Sequence, residues 1–400
     1  MATWIVGLVS CAALITVVLD HLRLLRALRS APQRNRANVN FPSVTIVRPV
    51  RGLDVGAEDN LRAVLHLDYP APLEILLAFD DDSDPAYLAL KRVAATCASC
   101  ASVRVLFAGV PPQGRTGKLN AMIVGLAEAK GELVAFNDSD TRPSPQLLRQ
   151  LVEALLSNPN AADTFAPALV SEAPRSAADV AYALMMNAWY GPSAAASARK
   201  RGTLPFIMGQ FMLWRREALA KIGGLACADG QLTDDMYLGR CASGSGFDNV
   251  LIATPLNIHT GGMTLAQFAH LFRRWLLFSR NGLPWQFTWE SWLRGIAVCA
   301  AFISLAVSLA CDFVIPGAIA VTALAGFSAS QIGIHRVFGG AAIPFRFVWV
   351  PVVLTLAAPF VAVFTLLDRN VDWRGRKYSL KTHAALSSED RSAEGRAVSV

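Results

Sequence analysis

The chain has 400 residues, of which 53% are hydrophobic and only 17% charged, and this composition excludes an ordinary soluble enzyme. Its formal net charge is +7, but it carries no zinc-finger, helix-turn-helix or aromatic RNA-binding signature, so nucleic acid is not the expected partner. Part of the chain is expected to lie in a lipid bilayer.

Four stretches contain no Asp, Glu, Lys or Arg, and each approaches the roughly 20 residues that a helix needs to cross a bilayer: residues 1–19, 295–311, 313–334 and 347–367. We predict an N-terminal transmembrane helix at 1–20 and C-terminal transmembrane helices within 293–367. A basic linker is predicted at 21–42. Because basic residues mark the cytoplasmic end of a span, the polar region that follows is expected to face the cytoplasm.

This polar region alternates between strand-like and helical patterns. Strands are predicted at 43–47, 73–79, 103–107 and 133–136, and helices at 61–67, at 87–96 and from Lys118 onward. The alternation predicts an α/β domain with a mostly parallel sheet over residues 43–262. Such sheets bind ligands beyond the carboxyl ends of their strands, and two acidic clusters fall there.

The first candidate site is a D-x-D pair after the fourth strand. Asp138 and Asp140 are suited to hold Mn²⁺ or Mg²⁺ against the phosphates of a nucleotide diphosphate, because hard divalent cations prefer carboxylate oxygens. A solvated loop is the alternative. In the earlier run at 80–84, Asp81 is a candidate for the base or ribose of a nucleotide, and a turn with a helix cap is the alternative. Lys118 is the expected basic complement to the phosphates or acids.

A third acidic pair, Asp234 and Asp235, precedes an apolar run. We assign Asp235 as the general base that takes a proton from an acceptor hydroxyl, with Asp234 in support. Asp234 as a helix N-cap is compatible with that role.

An amphipathic interfacial region is predicted at 263–292. Within it, Arg273 and Arg274 are suited to bind a diphosphate, and Trp275 to pack under the acceptor. The alternative is that both arginines face lipid headgroups.

Taken together, these motifs form a series that resembles the ceramide glucosyltransferase family: R-P-V-R-G-L-D at 48–54, D-D-D-S-D-P at 80–85, G-K-L-N at 117–120, N-D-S-D at 137–140, M-G-Q-F-M-L-W-R-R at 208–216, L-T-D-D at 232–235 and R-R-W at 273–275. The resemblance implies an inverting glycosyltransferase with a GT-A fold, in which a Rossmann-like catalytic domain is joined to membrane helices. It extends from the first span to about residue 375.

The resemblance also implies roles for single residues. Asp81 and Asp138 match nucleotide-sugar-binding aspartates, Asp140 completes the metal site, and Asp235 matches the base. Arg274 is implied as a nucleotide-sugar contact, and Gln210, Arg273 and Trp275 belong to the acceptor and diphosphate region. The chain departs from the family at Leu271, where Gln or Arg is usual.

The expected activity is transfer of a hexose from a UDP-sugar, UDP-glucose first, to the hydroxyl of a membrane lipid such as ceramide. The alternatives are transfer of N-acetylglucosamine to a hopanoid, a processive polysaccharide synthase, and an inactive sugar-nucleotide-binding membrane protein. The expected location is a bacterial inner membrane. The tail at 368–400 is predicted to be basic and then disordered. If all three C-terminal stretches crossed the bilayer, this basic tail would lie outside, so one stretch is expected to be re-entrant or interfacial.

Overall fold

The computed structural model describes residues 1–29, 40–97, 101–283, 285–367, 370–380 and 386. Most of the predicted linker after Arg29 and most of the predicted disordered tail lie outside these residues. The strands are β1 Val44–Pro49, β2 Leu73–Phe79, β3 Ser102–Phe107, β4 Leu133–Asn137, β5 Thr141–Arg142, β6 Ala161–Phe165, β7 Ala168–Leu169, β8 Phe211–Arg215, β9 Asp248–Leu251, β10 Leu256–Ile258, β11 Asn370–Trp373 and β12 Arg376–Ser379.

The helices are given in chain order. They are α1 Ala2–Arg29, α2 Ala57–Leu65, α3 Tyr87–Thr96, α4 Gly117–Glu128, α5 Leu147–Ser157, α6 Ala177–Leu184, α7 Gly191–Arg201, α8 Arg216–Lys221, α9 Asp234–Gly244, α10 Leu265–Gly282, α11 Trp285–Ala310, α12 Val314–Phe338 and α13 Val350–Leu367. A π-helical turn, Met185–Tyr190, joins α6 to α7 without a break, and short 3₁₀ turns span Leu225–Ala228 and Phe345–Phe347.

Seven strands form the central sheet in the order β3-β2-β1-β4-β8-β6-β9. The pairings are parallel except where β8 lies antiparallel between β4 and β6. Every residue of β2 and β4 is buried, because helices cover both faces of the sheet. The predicted α/β class with a mostly parallel sheet is therefore confirmed.

Two hydrophobic cores fill the space between sheet and helices. Leu61 of α2 and Leu151 of α5 pack on one face, and Leu119 of α4 and Leu238 of α9 pack on the other. Because β1, β2 and β4 are parallel, the loops that follow them lie at one edge of the sheet, beside the start of α4 and α9.

Four described helices are long and apolar enough to cross a membrane, with spans at Ala2–Leu28, Trp292–Ala310, Val314–Phe338 and Phe345–Thr365. Helix α1 continues nine residues beyond the predicted end at residue 20. The basic residues after residue 20 remain helical, and Arg23 pairs there with Asp20 and with Glu290 of α11. Helix α10 packs against α6 and α13 and reaches the open edge of the sheet.

Candidate active site

A cavity of about 220 Å³ lies at the carboxyl edge of the sheet. Its walls come from the ends of β1, β2 and β4, from the first turns of α4 and α9, from α10, and from the hairpin β11–β12. Five acidic and five basic side chains line it: Asp80, Asp138, Asp140, Asp234 and Asp235, and Arg51, Lys118, Arg274, Arg374 and Arg376.

The D-x-D loop is held from beneath by a buried arginine at the end of β1. Arg48 is 1% exposed, and its guanidinium donates to the Asn137 side chain and to the carbonyl oxygens of Ser139 (2.8 Å) and Thr141 (3.3 Å). Burial lowers the pKa of Arg48 to about 10, against the opposing effect of nearby aspartates. Sequence reasoning gave this residue no role, although it begins the R-P-V-R-G-L-D motif.

Asp138 and Asp140 both line the cavity. Lys118 Nζ lies 2.6 Å from Asp138 Oδ1, so the predicted basic complement is paired with the D-x-D motif. Burial favours a lower pKa for Lys118, but the carboxylates of Asp138, Asp234 and Asp235 outweigh it and raise the pKa above its usual range.

The two carboxylates fit a hard divalent cation. The buried Oδ1 of Asp140 has no hydrogen-bond partner among the described residues, and burial with the Asp138 charge raises its pKa to about 6. No group of three or more His, Cys, Asp or Glu side chains suited to a metal occurs in the described part of the chain. Two carboxylates with substrate phosphates are, however, a common ligand set for Mg²⁺.

Asp234 and Asp235 open helix α9. Both oxygens of Asp235 accept backbone N–H groups, from Gly209 (2.8 Å) and Met236 (2.8 Å), which fixes the carboxylate at the cavity wall. A Cβ at Gly209 would lie 2.7 Å from Asp235 Cβ, so only glycine allows this approach. Burial raises the pKa of Asp235, and it raises that of Asp234 to about 6. Asp234 lies in the first helical turn, and Thr233 occupies the N-cap position.

In the acidic run after β2, Asp80 and not Asp81 lines the main cavity. Asp80 pairs with Arg51 and, at 3.1 Å, with Arg376. Asp81 accepts hydrogen bonds from the backbone and hydroxyl of Ser83 in an exposed turn, and these bonds lower its pKa. Asp81 lines an adjoining pocket together with Asp80, Arg51 and Arg374, so the nucleotide contact predicted at Asp81 stays a prediction, and Asp80 is a second candidate for it.

Helix α10 supplies the apolar side of the cavity. Arg274, Trp275 and Leu271 line it, and the Trp275 ring packs edge-on against Tyr190 with centroids 4.7 Å apart. Arg273 lies outside the lining and donates to the Asn370 carbonyl (3.1 Å). Gln210 lines the cavity, and its buried Oε1 has no partner among the described residues.

Two arginines of the C-terminal hairpin, Arg374 and Arg376, also line the cavity. The sequence alone predicts only a basic tail for this segment. The only signal was that the family resemblance continued to about residue 375, beyond the last apolar stretch.

Comparisons with known proteins show the family to which this chain belongs. The family model described as glycosyl transferase family 21 matches residues 2–386. Ceramide glucosyltransferase 3 from Caenorhabditis elegans is 21% identical over 352 residues, which cover 85% of this chain and 73% of the relative. Ceramide glucosyltransferase 1 from the same organism is 20% identical over 360 residues, which cover 85% of this chain and 72% of that relative.

Among solved structures, the mannosyltransferase PcManGT from Pyrobaculum calidifontis, in complex with GDP-Man and Mn²⁺, superposes with a TM-score of 0.55. The match has 17% sequence identity and covers 90% of this chain and 99% of the other. At this identity the similarity shows the fold alone, a GT-A-like architecture.

Proposed function

Since this chain belongs to glycosyl transferase family 21 and is a hexosyltransferase, we propose that it moves a hexose from a UDP-sugar, UDP-glucose first, to the hydroxyl of a ceramide-like membrane lipid. The ceramide glucosyltransferases to which it is similar support this donor and acceptor class. The observation that carries the proposal is the convergence of Asp138, Asp140 and Asp235 on one cavity that is also lined by apolar side chains of α10.

In the proposed reaction, Asp235 accepts the proton of the acceptor hydroxyl while the hydroxyl oxygen attacks the anomeric carbon of the sugar. The bond from that carbon to the β-phosphate oxygen breaks, and UDP leaves with the electron pair. Because the attack comes from the face opposite the leaving group, the anomeric configuration inverts.

Several side chains support this step. Asp80 is suited to the base or ribose, in the role first assigned to Asp81. Asp138 and Asp140 would hold Mn²⁺ or Mg²⁺, which when bound supplies positive charge to the departing diphosphate. Binding of Mn²⁺ by the Pyrobaculum mannosyltransferase supports this cofactor. Lys118 pairs with Asp138, and Arg274 adds positive charge to the cavity wall.

The acceptor is proposed to enter from the membrane along α10. Leu271, Trp275 and Phe278 give this wall an apolar surface, and Leu271 replaces the polar residue that is usual in the family. Gln210 and Trp275 would orient the acceptor hydroxyl, whereas Arg273 would act indirectly by holding the C-terminal hairpin.

We also propose that the protein resides in a bacterial inner membrane with its catalytic domain in the cytoplasm. Arg23, Arg26 and Arg29 lie at the domain end of α1, as expected for the cytoplasmic end of a span.

The test is release of UDP by the purified protein in lipid vesicles. With Mn²⁺ or Mg²⁺ present, UDP-glucose, UDP-galactose and UDP-N-acetylglucosamine are each combined with ceramide, diacylglycerol or a hopanoid. Release of UDP only when a hydroxylated lipid is present supports the proposal. Preference for the hopanoid with UDP-N-acetylglucosamine would select that alternative, products with many sugars would indicate a processive synthase, and donor binding without any release would indicate an inactive relative.

A further inference from the structure

The hairpin β11–β12, which follows the last apolar helix, folds back against the catalytic cavity. Its strands pair Asn370 with Ser379 and Trp373 with Arg376, and its turn consists of Arg374 and Gly375. Both turn residues have a positive φ, 54° for Arg374 and 74° for Gly375. Asn, Asp or Gly is favoured at such a position, so an arginine there indicates that its side chain has a role that offsets the strain.

Arg374 fastens the hairpin to the loop after β1. Its Nη1 donates to Asp54 Oδ1 (2.6 Å) and to the Arg51 carbonyl (3.0 Å), and its own carbonyl accepts from Arg51 Nε (2.8 Å). Val371 and Tyr378 add an apolar contact with Leu232 and Leu277, so the hairpin is attached to both sides of the cavity.

Arg376 points into the cavity from this platform. Its Nη2 donates to Asp80 Oδ2 (3.1 Å), and the guanidinium also hydrogen-bonds with the Tyr378 hydroxyl. The buried Nη1 has no hydrogen-bond partner among the described residues. Nη1 sits so close to the first residue of α4 that a Cβ at Gly117 would collide with it. A buried cationic donor without a partner is destabilising, and a phosphate oxygen at this place would satisfy it.

The charges of the cavity point to the same ligand. With the hairpin in place, five acidic and five basic side chains line the cavity, and two of the basic ones come from the hairpin. A divalent cation together with a nucleotide diphosphate sugar, which carries two negative charges, adds no net charge to this balance. Without the hairpin, three basic side chains would face the five acidic ones, so the cavity, the cation and the donor together would carry two uncompensated negative charges.

We propose that the C-terminal hairpin completes the donor site, with Arg376 as a direct ligand of the donor's diphosphate and Arg374 as the residue that positions the hairpin. This inference rests on the proposed function. It implies that the segment after the membrane helices is part of the active site.

The test measures UDP binding and donor KM with the full-length protein in lipid vesicles with Mn²⁺. Arg376→Gln should raise the Kd for UDP and the KM for the UDP-sugar at least about tenfold, as expected for loss of a charge-assisted hydrogen bond. Binding of uridine, which has no phosphate, should not change. Lys377→Gln is the matched control, because it removes a positive charge from the neighbouring, exposed position of the same strand and should leave both constants within about twofold.

A second variant keeps the arginine but moves it. Gly117→Ala should displace the Arg376 guanidinium and weaken UDP binding, and it should add little in the Arg376→Gln background, because the two changes act on one interaction. If Arg376→Gln and Gly117→Ala both bind UDP as tightly as the wild type does, this inference alone is overturned. Absence of UDP binding by the wild type would overturn the proposed function and this inference with it.

Discussion

At the scale of single residues, the carboxylate of Asp235 performs the proton transfer in the proposed reaction. Asp235→Asn keeps the size of the side chain and one acceptor for the Gly209 N–H, but it removes the basic oxygen. We expect kcat to fall by roughly 10²- to 10⁴-fold, the usual contribution of a general base, while UDP binding changes little. UDP release and UDP binding measured on the same preparation separate the two effects.

A matched control is Asp68→Asn, which makes the same chemical change at an exposed carboxylate 3.4 Å from Arg149 and remote from the cavity. It should transfer sugar at the wild-type rate. Undiminished transfer by Asp235→Asn would show that another group accepts the proton.

The choice among neighbouring acids could not be made from the sequence. Asp80 and Asp81 have the same chemistry and adjacent positions, but Asp80 is the last residue before the turn and follows the strand into the cavity, whereas Asp81 closes the turn on Ser83. The D-x-D pair was predictable because a buried apolar strand leads directly into it. Arg374 and Arg376 were not, because their contacts with Asp54 and Asp80 join residues about 300 positions apart.

At the scale of elements, the junction between β1 and the D-x-D loop determines the shape of the proposed metal site. Arg48→Met should remove the hydrogen bonds that hold Asn137, Ser139 and Thr141 while keeping an apolar chain of similar length. We expect the apparent affinity for Mn²⁺ to fall about 10- to 100-fold, as is typical when a residue that orients metal ligands is lost. The measurement is a Mn²⁺ titration of UDP release.

Arg215→Met is the matched control for this change. Arg215 also donates to backbone carbonyls, of Leu155 (2.7 Å) and Ala161 (3.0 Å). It lies at the opposite end of the strands from the cavity, where it pairs with Leu133, the first residue of β4. Both variants should lower the melting temperature, and only Arg48→Met should shift the Mn²⁺ dependence. An equal Mn²⁺ dependence of both variants would contradict a role of Arg48 in the loop.

Strand β6 carries a buried carboxyl that is not part of the cavity. Asp163 is fully buried between Trp214 of β8 and Asn249 of β9, neither carboxyl oxygen has a hydrogen-bond partner among the described residues, and burial raises its pKa well above the usual value. The pKa of Asp163 is higher in the folded protein than in the unfolded chain. Its contribution to stability is therefore fully present below the unfolded-state pKa and is lost as the pH rises through the folded-state pKa. The domain should therefore lose stability between acidic and neutral pH.

Asp163→Asn removes this proton linkage and should raise the melting temperature at pH 7.5, by roughly 2–4 °C for each kcal/mol gained. The difference from the wild type should shrink as the pH is lowered to 5. Thermal unfolding of both proteins across this range checks the prediction, and a lower melting temperature of Asp163→Asn at pH 7.5 would contradict it.

Element boundaries were predictable where apolar residues define them. Strand β2 and helix α3 begin and end at the predicted residues, because their patterns are bounded by turn-forming residues. Helix α2 begins four residues before the predicted start at residue 61, since its first turn is polar and is held by ion pairs of Arg62 with Glu58 and Asp59. A hydrophobic pattern does not register such a turn.

At the scale of the whole molecule, the packing of the apolar helices gives each a direction. Helix α1 lies antiparallel to α11, where Asp20 contacts Arg294 and Val17 packs with Val298. It lies parallel to α12, where Gly7 is near Pro316 and His21 bonds Ser330. Helices α11 and α12 thus leave the catalytic domain and return to it.

Helix α13 differs from these three. Val350 and Leu354 in its first turns belong to one buried cluster with Leu24 and Ile334, near the ends of α1 and α12 that adjoin the catalytic domain. The carbonyl of Asn370, just after the helix, accepts a hydrogen bond from Arg273 of α10. The chain therefore enters and leaves α13 on the side of the catalytic domain. By length and composition alone, α13 could be a span. The hairpin after it, however, lines the cavity of the catalytic domain, so the chain between the domain and the hairpin must cross the membrane an even number of times.

We predict that α1, α11 and α12 cross the membrane and that α13 is re-entrant, which keeps the basic tail on the same side as the first basic segment. In a variant with the native cysteines replaced by serine, Asp312→Cys reports the turn between α11 and α12, Ala342→Cys the loop before α13, and Asp372→Cys the hairpin. In right-side-out vesicles, an impermeant maleimide should label Asp312→Cys at once and the other two only after permeabilisation. Immediate labelling of both Asp312→Cys and Asp372→Cys would mean that the hairpin lies across the membrane from the catalytic domain, and a hairpin there could not bind the donor.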